Sequence, residues 1–303
     1  MSIRFKTPAA VARTVPAMAE TDRITDFLTA HARLLDRHRA ALALGTGDPE
    51  AALRVLAGYQ NADGGFGWGL EPDAREPASQ PVTALHAFEV LEEVAPATSP
   101  MSVRLLDWLG TIGPAVPFAL PGGGGPGSAP MWDAADTTTP SLHMTAVVAG
   151  IAHRVGRHDP AVAAHPWLQR TTAWCLDRIA AIDRPTDAIE FRYVLGLLDA
   201  IDARDELERL GAHLPASGSM AVTGGKPDEA MRPLDFSPEP DRPLRALFDP
   251  AVIEADLDRI EQEQHEDGGW DVDWAHWSPA GALEWRGWAT VRALRILLAN
   301  GRL

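Results

Sequence analysis

Three features of the sequence predict an all-α protein. Apolar residues recur at helical spacing along most of the chain. Two of the helical segments end in the same glycine-containing turn, and no convincing run of alternating polar and apolar residues predicts a β-strand. Packed layers of helices are therefore the expected architecture.

The repeated turn organises the predicted helices. It reads Gln-x-x-Asp-Gly-Gly-aromatic at Gln60–Phe66 and again at Gln264–Trp270. An amphipathic segment precedes each copy and a second helix follows it after a loop, and the paired glycines suit a backbone that leaves a helix with positive φ. In chain order, the predicted helices are 21–44, 49–59, 81–94, 103–111, 140–154, 166–182, 187–203, 205–213, 250–263 and 284–300.

The two turns lie 204 residues apart, a distance that fits about four repeat periods of ~50 residues. The copies between them have diverged, although Trp132 holds a comparable place between two predicted helices. We therefore expect one domain over 1–303 that joins the ends of the chain, rather than the two domains that the length alone would suggest. Loops 114–130 and 215–243 are predicted insertions, and the second is either a lid over a pocket or a variable surface segment.

Composition excludes several classes of function. The chain has 27 Lys and Arg against 42 Asp and Glu, so its formal net charge is −15 and it offers no basic stripe for nucleic acid. Cys175 is the only cysteine, which excludes an intramolecular disulfide and favours a reducing, cytoplasmic location. The segment 1–20 has no apolar core typical of a secretory signal, and no stretch predicts an integral membrane segment.

Cofactor motifs are also missing from the sequence. The glycine run in loop 114–130 lacks the GK[ST] ending of a phosphate-binding loop, and the histidines show no HExxH or similar metal-ligand spacing. We therefore predict neither a cofactor nor a metal site.

The turns and their flanks resemble the prenyltransferase and squalene-oxidase repeats of protein prenyltransferase β-subunits and terpenoid cyclases. The match is good over 53–93 and 258–303 and weak between them. Gly65–Asp73 and Glu284–Val291 look most like bacterial stand-alone squalene-cyclase-like proteins. The resemblance implies an α/α toroid, in which inner and outer rings of helices surround a central cavity, and it implies this fold more firmly than any reaction.

Two chemistries of that fold compete. Zinc-dependent prenyl transfer would need an Asp-x-Cys pair, but Ala173 and Trp174 precede Cys175, and the acidic chain lacks a basic cluster for a diphosphate. A class II cyclase instead protonates an alkene or epoxide with an aspartic acid in a dry cavity. The string 134–138, Ala-Ala-Asp-Thr-Thr, resembles its Asp-x-Asp-Thr-Thr motif and places Asp136 at the donor position, with Ala134 where the first Asp would stand.

Asp136 also suits a structural role, because an Asp followed by three Thr before a predicted helix is a good N-cap, and this is the stronger of the two interpretations. Asp271 and Asp273 are the second candidates for the acid, or alternatively residues that cap or solvate a loop. Two roles remain open for four further charged residues, either contact with a ligand or an ion pair within the protein. They are Glu71, Asp73, Glu284 and Arg286.

Tryptophan is concentrated near the second turn, where five of the ten lie within nineteen positions. Trp274 and Trp277 are expected to face the cavity and, with Trp68, to stabilise positive charge there. The aromatic residue of each turn is expected to be structural instead.

The working hypothesis is a cyclase-like toroid that performs acid-initiated cyclisation or isomerisation of a hydrophobic small molecule, such as an isoprenoid. Its rivals are a non-catalytic toroid that binds a small molecule or a protein, and an enzyme that acts on a sugar or peptide through paired carboxylates.

Overall fold

The structure is a computed structural model that describes residues 20–303, so the expectation for the amino-terminal segment lies mostly outside the described residues. The helices are α1 Glu20–His31, α2 Leu34–Ala43, α3 Pro49–Leu56, α4 Pro81–Glu93, α5 Pro100–Ile112, α6 Pro130–Ala134, α7 Leu142–Val155, α8 Pro160–Ala163, α9 Pro166–Ala180, α10 Ala188–Ala200, α11 Arg204–Gly211, α12 Pro233–Phe236, α13 Pro250–Gln262 and α14 Pro279–Ala299. Short 3₁₀ helices occupy Ala57–Tyr59 and Pro243–Leu247.

The all-α prediction is confirmed. Helices account for 57% of the chain, and the only strands in the described part are two-residue strands, β1 Met220–Ala221 and β2 Ala230–Met231, which pair antiparallel. None of the helices within 20–303 combines the length and the apolar character that a membrane span requires.

The predicted helix over 21–44 is two helices in the structure. The chain leaves the helical conformation at Arg33, whose backbone is extended with φ −58° and ψ 152°. The Arg33 guanidinium donates to the Asp36 carboxylate at 2.8 Å and to the Leu70 carbonyl at 3.0 Å. A contact with a distant loop thus coincides with the break, which the local pattern of apolar residues did not predict.

The longer helices contact one another in a definite order. Helix α4 packs on α7, and α7 packs on α10. Helix α2 contacts both α4 and the C-terminal helix α14, which also packs on α1. The two ends of the described chain therefore lie against each other.

The two repeated turns have the same hydrogen bonds. In the first, the Gln60 side chain donates to the Gly64 carbonyl at 2.9 Å, and the Asp63 carboxylate accepts from the Gly65 amide at 3.0 Å. The corresponding distances in the second turn, between Gln264 and Gly268 and between Asp267 and Gly269, are 3.2 Å and 3.1 Å. The first glycine of each pair, Gly64 or Gly268, has the predicted positive φ, at 97° and 91°. The second glycines, Gly65 and Gly269, do not, and they serve instead for close packing on a neighbouring ring.

The two predicted insertions are part of the packed structure. In loop 114–130, Val116 is fully buried, and the Leu120 amide donates to the Gln80 side chain at the start of α4 at 2.8 Å. Loop 215–243 contains the β1–β2 hairpin and α12, and its residues between 222 and 242 line the cavity described next. Of the two interpretations of this loop, a cover over a pocket agrees with its position.

Candidate functional site

A cavity of about 1010 Å³ lies between the long helices. Helices α4, α7, α10 and α14 supply much of its wall, and the hairpin loop supplies another part. A volume of this order is at the upper end of small-molecule binding sites.

A buried histidine joins two glutamates at this cavity. His86 on α4 places Nε2 2.5 Å from the Glu71 carboxylate and Nδ1 3.1 Å from the Glu89 carboxylate. Burial alone would lower the pKa of His86, but the two carboxylates outweigh burial and raise it to about 9. The imidazole is therefore protonated at neutral pH, and each ring nitrogen donates to one carboxylate.

Glu89 is held in its ionised form by several donors. It accepts from the Trp288 indole at 3.0 Å and from Arg39 at 3.3 Å, in addition to His86. Although burial would raise the pKa of Glu89, the His86 and Arg39 charges hold it well below its usual range. Arg39 is itself anchored by Glu93, with two nitrogen–oxygen distances of 2.7 and 2.8 Å. These charges are paired with one another within the protein.

Asp73 differs from its neighbours because half of its carboxylate is unpaired. Its Oδ2 accepts from the Trp285 indole at 2.8 Å, while Oδ1 is buried and has no hydrogen-bond partner among the described residues. Burial raises the pKa of Asp73 to about 6, the Glu71 charge adds to the rise, and the Trp285 hydrogen bond opposes it. Asp73 is therefore the carboxyl of this cluster that can hold a proton near neutral pH.

Three tryptophans pack beside these acids. The Trp285 ring meets the edges of Trp274 and Trp288, with centroids 4.9 and 5.4 Å apart and ring planes at 87° in both pairs. All three line the cavity. The acids and the aromatic rings are thus parts of one wall.

A second aromatic group lines the cavity from another side. Trp132 stacks on Phe118 at 5.2 Å, and His143 packs edge-on against both Phe118 and Tyr193. Burial lowers the pKa of His143 to about 4, so its ring is neutral at physiological pH. The rings themselves are uncharged, and the Arg192 guanidinium, which also lines the cavity, lies 5.3 Å from the Tyr193 ring centroid.

Four of the residues predicted for the site lie in the cavity wall. They are Glu71, Asp73, Trp274 and Trp277. The structure brings the first three into contact with His86 and Trp285, whereas Trp277 is nearly half exposed. Phe66 and Trp270, the aromatic residues of the turns, are buried away from the cavity, as expected for structural residues.

Asp136 does not lie in the cavity wall, and its expected catalytic role requires correction. It is exposed, and its Oδ1 accepts from the Thr138 amide at 2.8 Å and the Thr139 amide at 3.1 Å. Hydrogen bonds from Thr139 and Thr138 hold the pKa of Asp136 below its usual range, which is the opposite of what a proton donor needs. Asp136 therefore has a structural role within its own loop, but the predicted helix cap is wrong, because the next helix begins at Leu142 and its N-cap is Ser141.

Asp271 and Asp273 also lie outside the cavity wall. Their predicted role as alternative acids therefore requires the same correction. Asp271 pairs with Arg286 at 2.5 Å and with His265 at 3.2 Å, and Asp273 pairs with Arg232 at 2.7 Å. Both carboxylates are thus engaged in ion pairs within the protein.

The remaining expected ligand contacts are structural ties. Trp68 is more than half exposed and donates its indole N–H to Asn61 at 2.8 Å. Glu284 pairs with Arg75, and Arg286 binds Asp267 while its guanidinium stacks 4.5 Å from the Phe27 ring centroid. None of these three predicted residues lines the cavity.

Sequence reasoning missed His86 and Glu89 as members of the site. Trp285 and Trp288 belong to the tryptophan cluster that the sequence indicated for an aromatic pocket, but they were not singled out. A usable signal was present, because α4 is apolar on nearly all sides and yet carries a His and a Glu three positions apart, on one face. Charged residues within a helix that is buried all round must have partners, and such partners often mark a site.

Metal binding finds no support in the arrangement of side chains. Within 20–303 no three His, Cys, Asp or Glu residues are placed to hold a metal ion. Comparison of the sequence with known protein families and with curated proteins found no match to either.

Proposed function

We propose that the chain is an α/α toroid whose cavity binds a hydrophobic small molecule. The order of helix contacts supports this, because α14 at the end of the chain packs on α2 and α1 at its beginning. The two turns give independent support. A Cβ atom on Gly64 would meet the Arg104 carbonyl of α5, and one on Gly268 would meet the Arg23 carbonyl of α1.

One helical turn after Arg104 and Arg23, the same two helices contact the second glycine of each turn. A Cβ on Gly65 would lie 2.7 Å from the Trp108 ring of α5, and one on Gly269 would lie 2.7 Å from the Phe27 ring of α1. The last turn thus docks on the first helix as the first turn docks on a later helix. A closed ring of repeats explains this equivalence, whereas an open array would leave the last turn without a partner.

We infer that the cavity performs acid-initiated isomerisation or cyclisation, with Asp73 as the acid. The observation that carries this assignment is the half-unpaired Asp73 carboxyl, which is buried in the cavity wall and has its pKa raised to about 6. A proton donor works best when its pKa lies near the operating pH. Asp73 takes the role that the sequence motif had suggested for Asp136.

The neighbours of Asp73 serve this chemistry. The Trp285 indole fixes the orientation of the carboxyl through Oδ2, which leaves Oδ1 to carry the proton. The His86 imidazolium holds Glu71 in place, and the Glu71 charge keeps the Asp73 proton from leaving early. After Asp73 protonates an alkene, the faces of Trp274 and Trp288 would stabilise the cation. The cation then loses a proton from a different carbon to give the rearranged or ring-closed alkene, and the Asp73 carboxylate takes up a proton to restore the acid.

Incubation in D₂O with polyprenyl alcohols of increasing length tests this proposal. The expected product has rearranged or ring-closed, and mass spectrometry shows one deuterium from the added proton. Asp73→Asn keeps an acceptor for the Trp285 indole but has no acidic proton, so we expect at least about a hundredfold loss of turnover.

Asp136→Asn is the matched control, because it changes the same functional group at an exposed turn and should leave turnover unchanged. Binding is followed separately through the fluorescence of the cavity tryptophans. Binding without turnover for any chain length would favour the non-catalytic toroid, and equal loss in both variants would remove Asp73 from its role.

A further inference from the structure

Two side chains in the cavity wall carry polar atoms that have no partner in the protein. Tyr193 on α10 and His143 on α7 line the cavity, are half-buried, and pack edge-on with ring centroids 5.0 Å apart. Within 20–303, no hydrogen bond reaches the Tyr193 hydroxyl or either ring nitrogen of His143. A molecule in the cavity can therefore supply their partners.

These three atoms are also open to the cavity. They are not among the unpaired side-chain atoms that residues 20–303 enclose. A ligand that fills the cavity displaces water from them, and a donor or acceptor left unmet beneath a ligand is costly. The pair formed by Tyr193 and His143 therefore discriminates among ligands by the polar group that they bring to it.

The chemistry of the pair matches a hydroxyl group. Burial raises the pKa of Tyr193, so its phenol keeps its proton at neutral pH and can both donate and accept. The neutral His143 ring has one donor nitrogen and one acceptor nitrogen. A ligand hydroxyl also donates and accepts, whereas a carbonyl oxygen only accepts and would leave the acceptor atoms of the pair unmet.

The charges around the pair favour a neutral ligand group. The Tyr193 hydroxyl lies within the fields of two negative and two positive side chains, which are Glu89, Glu71, Arg192 and Arg292. The first two would repel an anionic group and the last two would repel a cationic group, and either ion would also lose its hydration in the cavity. A neutral hydroxyl avoids these costs.

We propose that the substrate is an apolar alcohol whose hydroxyl forms hydrogen bonds with Tyr193 and His143. The inference rests on the proposed function in taking the cavity as the substrate site, and it names the chemical class of that substrate. It adds Tyr193 and His143 as specificity residues, which favour an alcohol over a hydrocarbon of the same shape.

Three ligands with one carbon skeleton test the inference without turnover. They are geraniol, the hydrocarbon in which a methyl group replaces its hydroxyl, and geranic acid, and binding is followed through tryptophan fluorescence at pH 7. The wild-type protein should bind geraniol more tightly than either of the other two. Equal or tighter binding of the hydrocarbon, tighter binding of geranic acid, or no binding of any probe would overturn the inference.

Tyr193→Phe and His143→Phe assign the preference to the pair. Each keeps an aromatic ring but removes the unpaired polar atoms, so the affinity ratio of geraniol to the hydrocarbon should fall roughly tenfold in each. Comparing this ratio between variants cancels the hydration of the free ligands. Tyr59→Phe is the matched control, because Tyr59 is the only other tyrosine of the chain and does not line the cavity, so its ratio should stay unchanged.

The outcomes separate this inference from the proposed function. A ratio that falls in Tyr193→Phe and His143→Phe, together with no turnover of any substrate, would keep the inference and contradict the catalytic role of Asp73. Turnover that is lost in Asp73→Asn, together with an unchanged ratio in both phenylalanine variants, would keep the proposed function and contradict the inference.

Discussion

The two repeated turns share one geometry, but the segments that follow them in the chain differ in their position relative to the cavity. Both close with the same Gln and Asp hydrogen bonds, and both pack their glycines on a neighbouring helix. After the first turn, the chain carries Glu71 and Asp73 into the cavity wall. After the second, Asp271 and Asp273 remain outside it and pair with basic residues.

A histidine–carboxylate pair accompanies each turn, although His86 lies on α4 after the first turn and His265 lies within the second. The two pairs differ in burial. His86 and Glu71 are 2.5 Å apart, with side chains only 5% and 4% exposed, whereas His265 and Asp271 are 3.2 Å apart and both 49% exposed. The comparison indicates that the turn is a structural unit which recurs for packing. The chemistry depends on whether the following acids are withdrawn from water.

The largest expected effect is on the buried pair. His86→Ala should lower the free energy of unfolding by about 3–5 kcal/mol, because it leaves the Glu71 charge buried without its imidazolium partner. His265→Ala, the matched change in the exposed pair, should cost about 0–1 kcal/mol. Urea denaturation measures both, and similar losses in the two variants would show that burial does not distinguish the pairs.

The pH dependence of the same variants sharpens the result. His86 has a folded-state pKa of about 9, above its ordinary value of about 6.5, so its stabilisation is complete below pH 6.5. It is lost as the pH rises through 9. The difference between wild type and His86→Ala should therefore shrink between pH 6.5 and 9, and a constant difference would contradict a protonated His86.

The next largest effect is the loss of stability when the first glycine of either turn is replaced, which tests the packing that the two turns share. Gly64→Ala and Gly268→Ala should each cost about 2–3 kcal/mol, since each combines a positive φ with an overlap against a neighbouring backbone carbonyl. Gly45→Ala is the control, because Gly45 has φ 70° and open space around it, so strain alone should cost about 1 kcal/mol.

Hydrogen exchange locates the damage in these variants. Gly64→Ala should loosen α5, and Gly268→Ala should loosen α1, because these helices carry the overlapped carbonyls. If Gly268→Ala costs no more than Gly45→Ala and leaves α1 protected, the second turn does not dock on α1 and the argument for a closed ring fails.

The same comparison shows how far the sequence could predict the molecule. The turns and most helices follow from local patterns, since the glycine conformation and the helical spacing depend on neighbouring residues. The break at Arg33 and the cluster around His86 depend on contacts between distant segments, such as the 2.5 Å contact between Glu71 and His86. Asp136 matched a motif, but its own turn satisfies its carboxylate, and only the tertiary structure separates it from Asp73.

The most gradual expected effect is the change in turnover with pH, which reports on the protonation of Asp73. With a pKa of about 6, the acid is about one-tenth protonated at pH 7, so kcat/KM should fall about tenfold for each further pH unit. Stability supplies an independent readout, because burial disfavours the charged carboxylate. The unfolded chain loses this proton near the ordinary pKa of about 3.9, earlier than the folded protein does, so the carboxyl costs stability as the pH rises from 4 through 6.

Asp73→Asn mimics the protonated form, so it should match wild type near pH 4 and become more stable than wild type by about 2–3 kcal/mol above pH 6. Asp273→Asn should show no such gain, because it removes a carboxylate that is paired with Arg232 at 2.7 Å. A rate that rises with pH would make Asp73 a base rather than an acid. A gain in stability at high pH in both asparagine variants would mean that the acids after the two turns share one environment. The burial of Glu71 and the exposure of Asp271 argue against that outcome.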